Sequence, residues 1–329
     1  MVRAQSVPGT RKTTLRAQTT NNTSASNRFH GMPNGNVPAS HISKLPLRSL
    51  LYPGAATKIY ARVVPFFLPS QNHVNIGYRS DDPKQGRKQI EDMMSRGIDG
   101  AIVDWYGTAN EDLGRTAVLY QQEAEQHPGF TFAISEDKGA LKRCARNPGC
   151  DLTRRLVDDL NYAYDHFEQS PAYLQQDGRP IVFFFDVNER SINWSEVREL
   201  VRGNPLFVFR NKGGFALPQS DGAFAWVDQT HDPVMPSLDE FYRKALNVTG
   251  SREALVFGSV FKGFDDRTAS WSENRVMDQQ CGQTWLDTFA RVNRYFSDLH
   301  PLDYLQVVTW NDYEEGTAIE SGIENCVAV

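Results

Sequence analysis

From residue 58 onward the chain alternates between short runs of β-branched and aromatic residues and longer polar stretches whose apolar residues recur three and four positions apart. The run at 58–67 reads as a strand. After it, Asp82-Pro83 supplies an N-cap and a first-turn proline, Ile90, Met93 and Met94 form one helical face, and Gly97 stops the helix. The unit then repeats. Strands are predicted at 100–106 and 130–135, with helices reaching residue 127 and spanning 151–167, the latter with Leu152, Leu156, Leu160 and Tyr164 as its buried stripe. Residues 180–187 are apolar on both faces, as expected of a parallel strand covered on both sides, and a helix follows at 194–201. Strands at 206–210 and 223–227 have a poor helix or none between them. A helix at 238–246, strands at 254–260 and 305–310, and a helix at 285–299 between those two strands complete the set.

Eight βα units over about 270 residues predict an α/β protein of the (β/α)8 TIM-barrel class. A doubly wound sheet is the competing arrangement, because each unit looks the same locally. Only 19 residues follow Trp310, so the eighth helix is expected to be short or missing, which is also how a chain with a lost C-terminus would read. There is no internal repeat, heptad or glycine-rich phosphate loop.

The 329 residues are 40% hydrophobic and 23% charged, an ordinary globular composition, and no apolar run approaches the roughly 18 residues of a membrane span. The net charge of -5 gives no general reason to expect nucleic acid as a partner. That charge is unevenly placed. Residues 1–50 hold seven basic side chains and no acidic one, leaving 28 basic against 40 acidic residues in the remainder. Rich in Ser, Thr, Asn and Pro, with Phe29 its one aromatic residue, this head is expected to be a disordered tail before a single barrel domain at 51–329. Its composition also suits an organellar transit peptide or a mis-assigned start, whereas a secretory signal is expected to need an apolar central stretch that residues 1–40 do not supply. Cys144 and Cys150 flank a turn-forming Ala-Arg-Asn-Pro-Gly insert, which allows either a disulfide or two separate thiols. No Cys/His spacing resembles a metal site, and no cofactor is implied.

A barrel places its chemistry at the C-terminal ends of its strands. The candidates there are acidic and aromatic: His73 and Tyr78 after the first strand, Asp104, Trp105 and Tyr106 after the second, and Glu136, Asp137 and Lys138 after the third. Asp186 and Asn188 follow the fourth, Arg210 and Asn211 the fifth, Trp226 and Asp228 the sixth, and Lys262, Asp265 and Asp266 the seventh. The eighth ends in Trp310-Asn311-Asp312-Tyr313-Glu314-Glu315. Gathered carboxylates split one another's pKa values into a general acid and a general base, and flat rings stack on sugar rings, so the pattern points to carbohydrate. If the chain turns helically at the end of the last strand, Asp312 and Glu315 share a face with Cβ atoms about 5–6 Å apart. Glycoside hydrolysis needs two such carboxyls. The plainer reading is that these acids cap a surface turn, that Trp105 is core packing, that Asp137 and Lys138 are a surface ion pair, and that His73 is a structural hydrogen-bonding residue.

Trp310-Asn311-Asp312-Tyr313-x-Glu315 resembles the last-strand motif of glycoside hydrolase family 71, the fungal α-1,3-glucanases. Asn311-Asp312-Tyr313-Glu314-Glu315-Gly316-Thr317 with Ile319-Glu320 is also similar to family 99, the endo-α-mannosidases and endo-α-mannanases, as is Gly97-Ile98-Asp99-Gly100 leading into Asp104-Trp105-Tyr106-Gly107. The resemblance implies a TIM-barrel glycosidase acting on an α-linked polysaccharide or glycan, with Asp312 as the base and Glu315 as the general acid. It also implies substrate contacts from residues at the strand ends, and an extracellular or periplasmic address. Here Asp312 stands where family 99 has Glu, which leaves the linkage open, as are retention against inversion and the oligomeric state. Two other readings fit the same mouth: a carbohydrate-binding barrel without turnover, and a metal-dependent hydrolase, which the missing His pairs disfavour.

Overall fold

The computed structural model describes residues 45–187, 192–227 and 235–320. Eight strands, β1 (Lys58–Val63), β2 (Gly100–Trp105), β3 (Thr131–Asp137), β4 (Arg179–Phe185), β5 (Leu206–Arg210), β6 (Gly222–Phe224), β7 (Leu255–Val260) and β8 (Tyr304–Val307), pair in parallel and in chain order. β8 closes the ring on β1, with Lys58 opposite Tyr304, so the sheet is a barrel and the doubly wound alternative falls away. Six main helices lie between the strands: α1 (Pro83–Ser95), α2 (Glu111–Gln126), α3 (Leu152–His166), α4 (Trp194–Leu200), α5 (Pro236–Thr249) and α6 (Gln283–Tyr295).

The local reasons are those the sequence offers. Asp82 accepts the Lys84 N–H (3.0 Å) ahead of Pro83, and Asn110 and Asp151 cap α2 and α3 in the same way. In α3, Leu156 and Leu160 are fully buried with Val157 and Ala163, while Tyr164 is half-buried. Between β5 and β6 the chain makes only the 3-10 turn Lys212–Ala216. No helix follows β8 among the described residues.

Several boundaries differ from expectation: β6 ends at Phe224 and not at 227, β8 at Val307 and not at 310, and α6 at Tyr295 and not at 299. β1 ends at Val63 and not at 67, because Pro65 has no N–H for the ladder and the Val64 backbone pairs with the Asn311 side chain instead. Phe66, Phe67 and Leu68 then pack with Val64, Ile76 and Leu113 in a small apolar cluster apart from the main core. At the other end of the barrel, residues 47–50 form a 3-10 turn tied down by the Leu47 N–H to Arg96 O (2.8 Å) and by Arg48 to Asp99 (2.6 Å). Cys144 and Cys150 form a disulfide with Cα atoms 5.3 Å apart.

The barrel interior is filled in layers. Phe257 stacks on Tyr304 (centroids 4.5 Å apart) and meets Phe183 edge-on (4.7 Å), and Phe183 in turn meets Phe224 (5.8 Å). On top of these rings lies the guanidinium of Arg62, 4.4 Å from the centroid of Phe224, which makes it the floor of the mouth above.

Candidate active site

Strand parity sorts the candidates. Asp104 lies opposite Ser135, and Trp105 opposite Glu136. Neighbours across a parallel pair share a face, and successive residues alternate, so Asp104, Ser135 and Asp137 point into the barrel while Trp105 and Glu136 point out. Trp105 stacks on Tyr162 (6.1 Å, 17°) and meets Phe167 edge-on, within the helical layer. Glu136 is fully buried on that same side, near Asp159 and Arg155 of α3; neither of its oxygens has a hydrogen-bond partner, and burial holds its pKa well above the carboxylate range. The structure therefore places both outside the mouth for which the sequence reading nominated them.

Inside the mouth four carboxyls converge. Asp104 has its pKa pushed well up by burial and then by Asp137, against the pull of Arg62, whose Nη1 lies 3.7 Å away. Burial pushes Asp137 up to about 6, opposed by the Gly139 N–H that it accepts at 2.6 Å. Asp312 is 5% exposed. Its Oδ1 accepts the N–H groups of Glu314 (3.1 Å) and Glu315 (2.9 Å), and Thr309 Oγ1 accepts the Asp312 N–H at 2.8 Å. Burial pushes Asp312 up to about 7, with the Glu315 N–H bond opposing and the charges of Glu314 and Asp104 adding. Glu315 is pushed up to about 8, first by burial and then by the charge of Asp312, while Arg275, the nearby Trp271 side chain and Arg210 pull it down. The Tyr106 phenol, raised mainly by burial, also feels Asp137, Asp104, Asp312 and Glu315, which puts it among all four. Asp312 is thus both a turn cap, as the plainer reading had it, and a member of the cluster.

Cations and rings line the rest of the mouth. Arg210 Nη1 bonds Asp186 (2.9 Å), which also takes Lys138 Nζ (3.3 Å), so Lys138 pairs with Asp186 and not with its neighbour Asp137. The Arg210 guanidinium lies 4.5 Å from the Phe185 ring, and Trp226, 9% exposed, sits between Phe185 and Arg62. Lys262, after β7, has its ammonium pKa lowered by burial.

The remaining candidates hold the framework. His73 Nδ1 meets Glu314 Oε2 at 2.5 Å and its ring stacks on Phe66, so it anchors the β1–α1 loop to the β8 turn. Asn311 gives both ends of its amide to the Val64 backbone (2.9 and 3.0 Å). The Tyr78 hydroxyl donates to Glu320 (2.8 Å), which also accepts Gln85, Gln89 and Tyr313. Trp310 is fully buried, with its backbone N–H on Arg62 O (2.7 Å). Asp266, also fully buried, accepts Ser272 Oγ, the Glu273 N–H, the Arg275 N–H and Arg275 Nε, all within its own loop, whereas Asp265 pairs with Arg267. The Asn211 N–H is taken by Phe224 O. Asn188 and Asp228 lie outside the described residues. The sequence reading missed Arg62, Trp271 and Arg275. Arg62 had a signal, a lone charge in an apolar strand two places from Tyr60; the other two sit in an aperiodic loop that offers none.

Among the described residues no group of three His, Cys, Asp or Glu side chains is disposed to hold a metal ion, and no helix is long and apolar enough to cross a membrane. Chemically, the mouth is a buried set of coupled carboxyls that share fewer charges than sites, floored by arginine and walled by aromatic rings.

No curated protein matches the chain. Among solved structures, a GH99 endo-α-mannosidase from Bacteroides thetaiotaomicron superposes with a TM-score of 0.62 at 17% identity, over 81% of this chain and 88% of that one. A glycoside hydrolase-like protein gives 0.61 at 12% identity over 88% and 92%, and a family 1 β-glucosidase from Thermotoga maritima gives 0.51 at 10% identity over 82% and 93%. At these identities the likeness is one of fold. The sequence carries more: residues 73–321 match Glycosyl hydrolase family 71. With that match running from the β1–α1 loop to the far side of the β8 turn, the chain belongs to glycosyl hydrolase family 71 and is a glycosidase.

Proposed function

We propose that the chain hydrolyses an α-linked glucan or mannan, with Glu315 as the general acid and Asp312 as the base. The observation that carries this reading is the buried pair on the β8 turn: Asp312 accepts the N–H groups of Glu314 (3.1 Å) and Glu315 (2.9 Å), which favour its ionised form, while burial and the Asp312 charge favour the protonated form of Glu315. One group is then available ionised and the other protonated near neutral pH, which is the division of labour glycoside hydrolysis asks for. Support for an α-linkage is the last-strand motif shared with α-1,3-glucanases and the fold shared with an endo-α-mannosidase.

The test is release of reducing ends from a panel of α-glucans and α-mannans by the wild type, Asp312→Asn and Glu315→Gln. Both variants are expected to lose about a thousandfold or more in kcat/KM while keeping the wild-type melting temperature. An aryl α-glycoside with an acidic leaving group needs no protonation, so it should spare Glu315→Gln and not Asp312→Asn. Glycan binding without turnover by the wild type, or either variant retaining a tenth of the polymer activity, would sink the assignment.

A further inference from the structure

One ring at the mouth is left open where its neighbours are covered. Phe66 is 6% exposed, yet Trp271, in edge contact with Phe66 (6.2 Å) and His73 (5.3 Å), is 40% exposed. The open part of the indole is flat apolar area that a sugar face can cover, at about 25 cal/mol per Å2. The Trp271 side chain also lies close enough to the Glu315 carboxyl to favour its ionised form. The open ring thus stands directly beside the candidate acid.

Its position is built, not incidental. Buried Asp266 gathers the loop by accepting Ser272 Oγ (3.1 Å), the Arg275 N–H (2.8 Å) and Arg275 Nε (2.8 Å). The loop is then stitched to the β8 turn by the Asp265 N–H on Glu315 O (2.8 Å) and by Thr268 Oγ1 on Glu314 O (3.4 Å). On its other side the Phe66 ring is held by the stacked His73, whose Nδ1 is pinned to Glu314. The outer ties of the Trp271 ring thus run back to Glu314 and Glu315 of the β8 turn. Gly316 is part of this fit: its φ is +63°, and a Cβ there would lie 3.1 Å from the Asp265 Cβ.

We propose that Trp271, backed by Phe66 and His73, is a stacking platform that seats the hexose next to the scissile bond against Glu315. This rests on the reading of Glu315 as the general acid. A hexose has an apolar C–H face and a polar rim; the indole covers the first, and the neighbouring carboxyl meets the oxygen at its edge. Fixing both on one braced loop orients the glycosidic oxygen toward the acid before reaction.

The experiment measures binding, separately from turnover. α-1,3-linked gluco-oligosaccharides and α-manno-oligosaccharides are titrated calorimetrically into Asp312→Asn protein, and into the same protein carrying Trp271→Ala or Trp271→Phe. The parent is expected to bind one of the two series. Trp271→Ala should weaken that binding tenfold or more, and Trp271→Phe, which keeps a flat ring, should stay within threefold. Trp271→Phe should also lose the ligand-induced change in tryptophan emission that the parent shows. Affinity unchanged within twofold in Trp271→Ala overturns the proposal, as does an undiminished emission change in Trp271→Phe, which decides the matter should the alanine variant fail to fold. Absence of binding by the parent to either series would overturn the functional reading and the platform together, whereas binding indifferent to Trp271 overturns the platform alone.

Discussion

Asp312 accepts two backbone N–H groups on one oxygen, while Glu315 lies beside the Trp271 side chain and in the field of Asp312. These surroundings fix the expected pH response. On the proposed roles activity needs Asp312 ionised, so it rises as pH passes about 7, and Glu315 protonated, so it falls above about 8. The profile of kcat/KM should therefore be a bell displaced upward from the ordinary carboxylate range, the limbs belonging to the coupled pair and not to either residue alone. Full activity persisting from pH 5 to 6 would contradict it. At this scale the sequence disclosed residue types better than directions. Trp105 and Glu136 have the right chemistry at the right strand ends, but each is one position out of phase with the mouth. A period of two makes such a slip decisive, and the apolar pattern could not expose it because β2 and β3 are covered on both faces.

The β8 turn depends on a borrowed partner. Asn311 is 1% exposed, and its amide answers both the N–H and the C=O of Val64 at the end of β1. Asn311→Ala leaves these two buried backbone groups unpaired, at about 1–3 kcal/mol each. Calorimetric unfolding should show a clear fall in melting temperature, with a matching loss of glycan hydrolysis because the turn carrying Asp312 is no longer held; an unchanged melt would show that the contact is dispensable. Elements of this kind were legible where the pattern was periodic. All eight strands and the Asp82 cap of α1 sit close to where the alternation and the Asp82-Pro83 pair put them. The first strand was drawn too long because its apolar run continues past Pro65 into the separate cluster of Phe66 and Phe67. The loop holding Trp271 and Arg275 was unreadable because its shape comes from a buried carboxylate gathering polar neighbours, which leaves no periodic trace.

For the whole molecule, the electrostatics argue for a substrate without charge. The acids gathered in the mouth have their ionisation suppressed by burial. Nothing in that arrangement needs to steer an ion. Raising salt from 0.05 to 0.5 M should change kcat/KM on a neutral glycan by less than about twofold, since screening acts on charge-guided encounter; a steep dependence would point to a charged polymer instead.

Closure of the barrel has a temporal side as well. The backbone of Val64 and the amide that completes it stand 247 positions apart, and the turn bearing both proposed reacting acids hangs on that junction. Most of the aromatic interior can be synthesised and packed while the enzyme has no chemistry at all. On the proposed roles activity arrives abruptly, with the last strand, and a nascent chain has no power to attack glycans before the ring is shut.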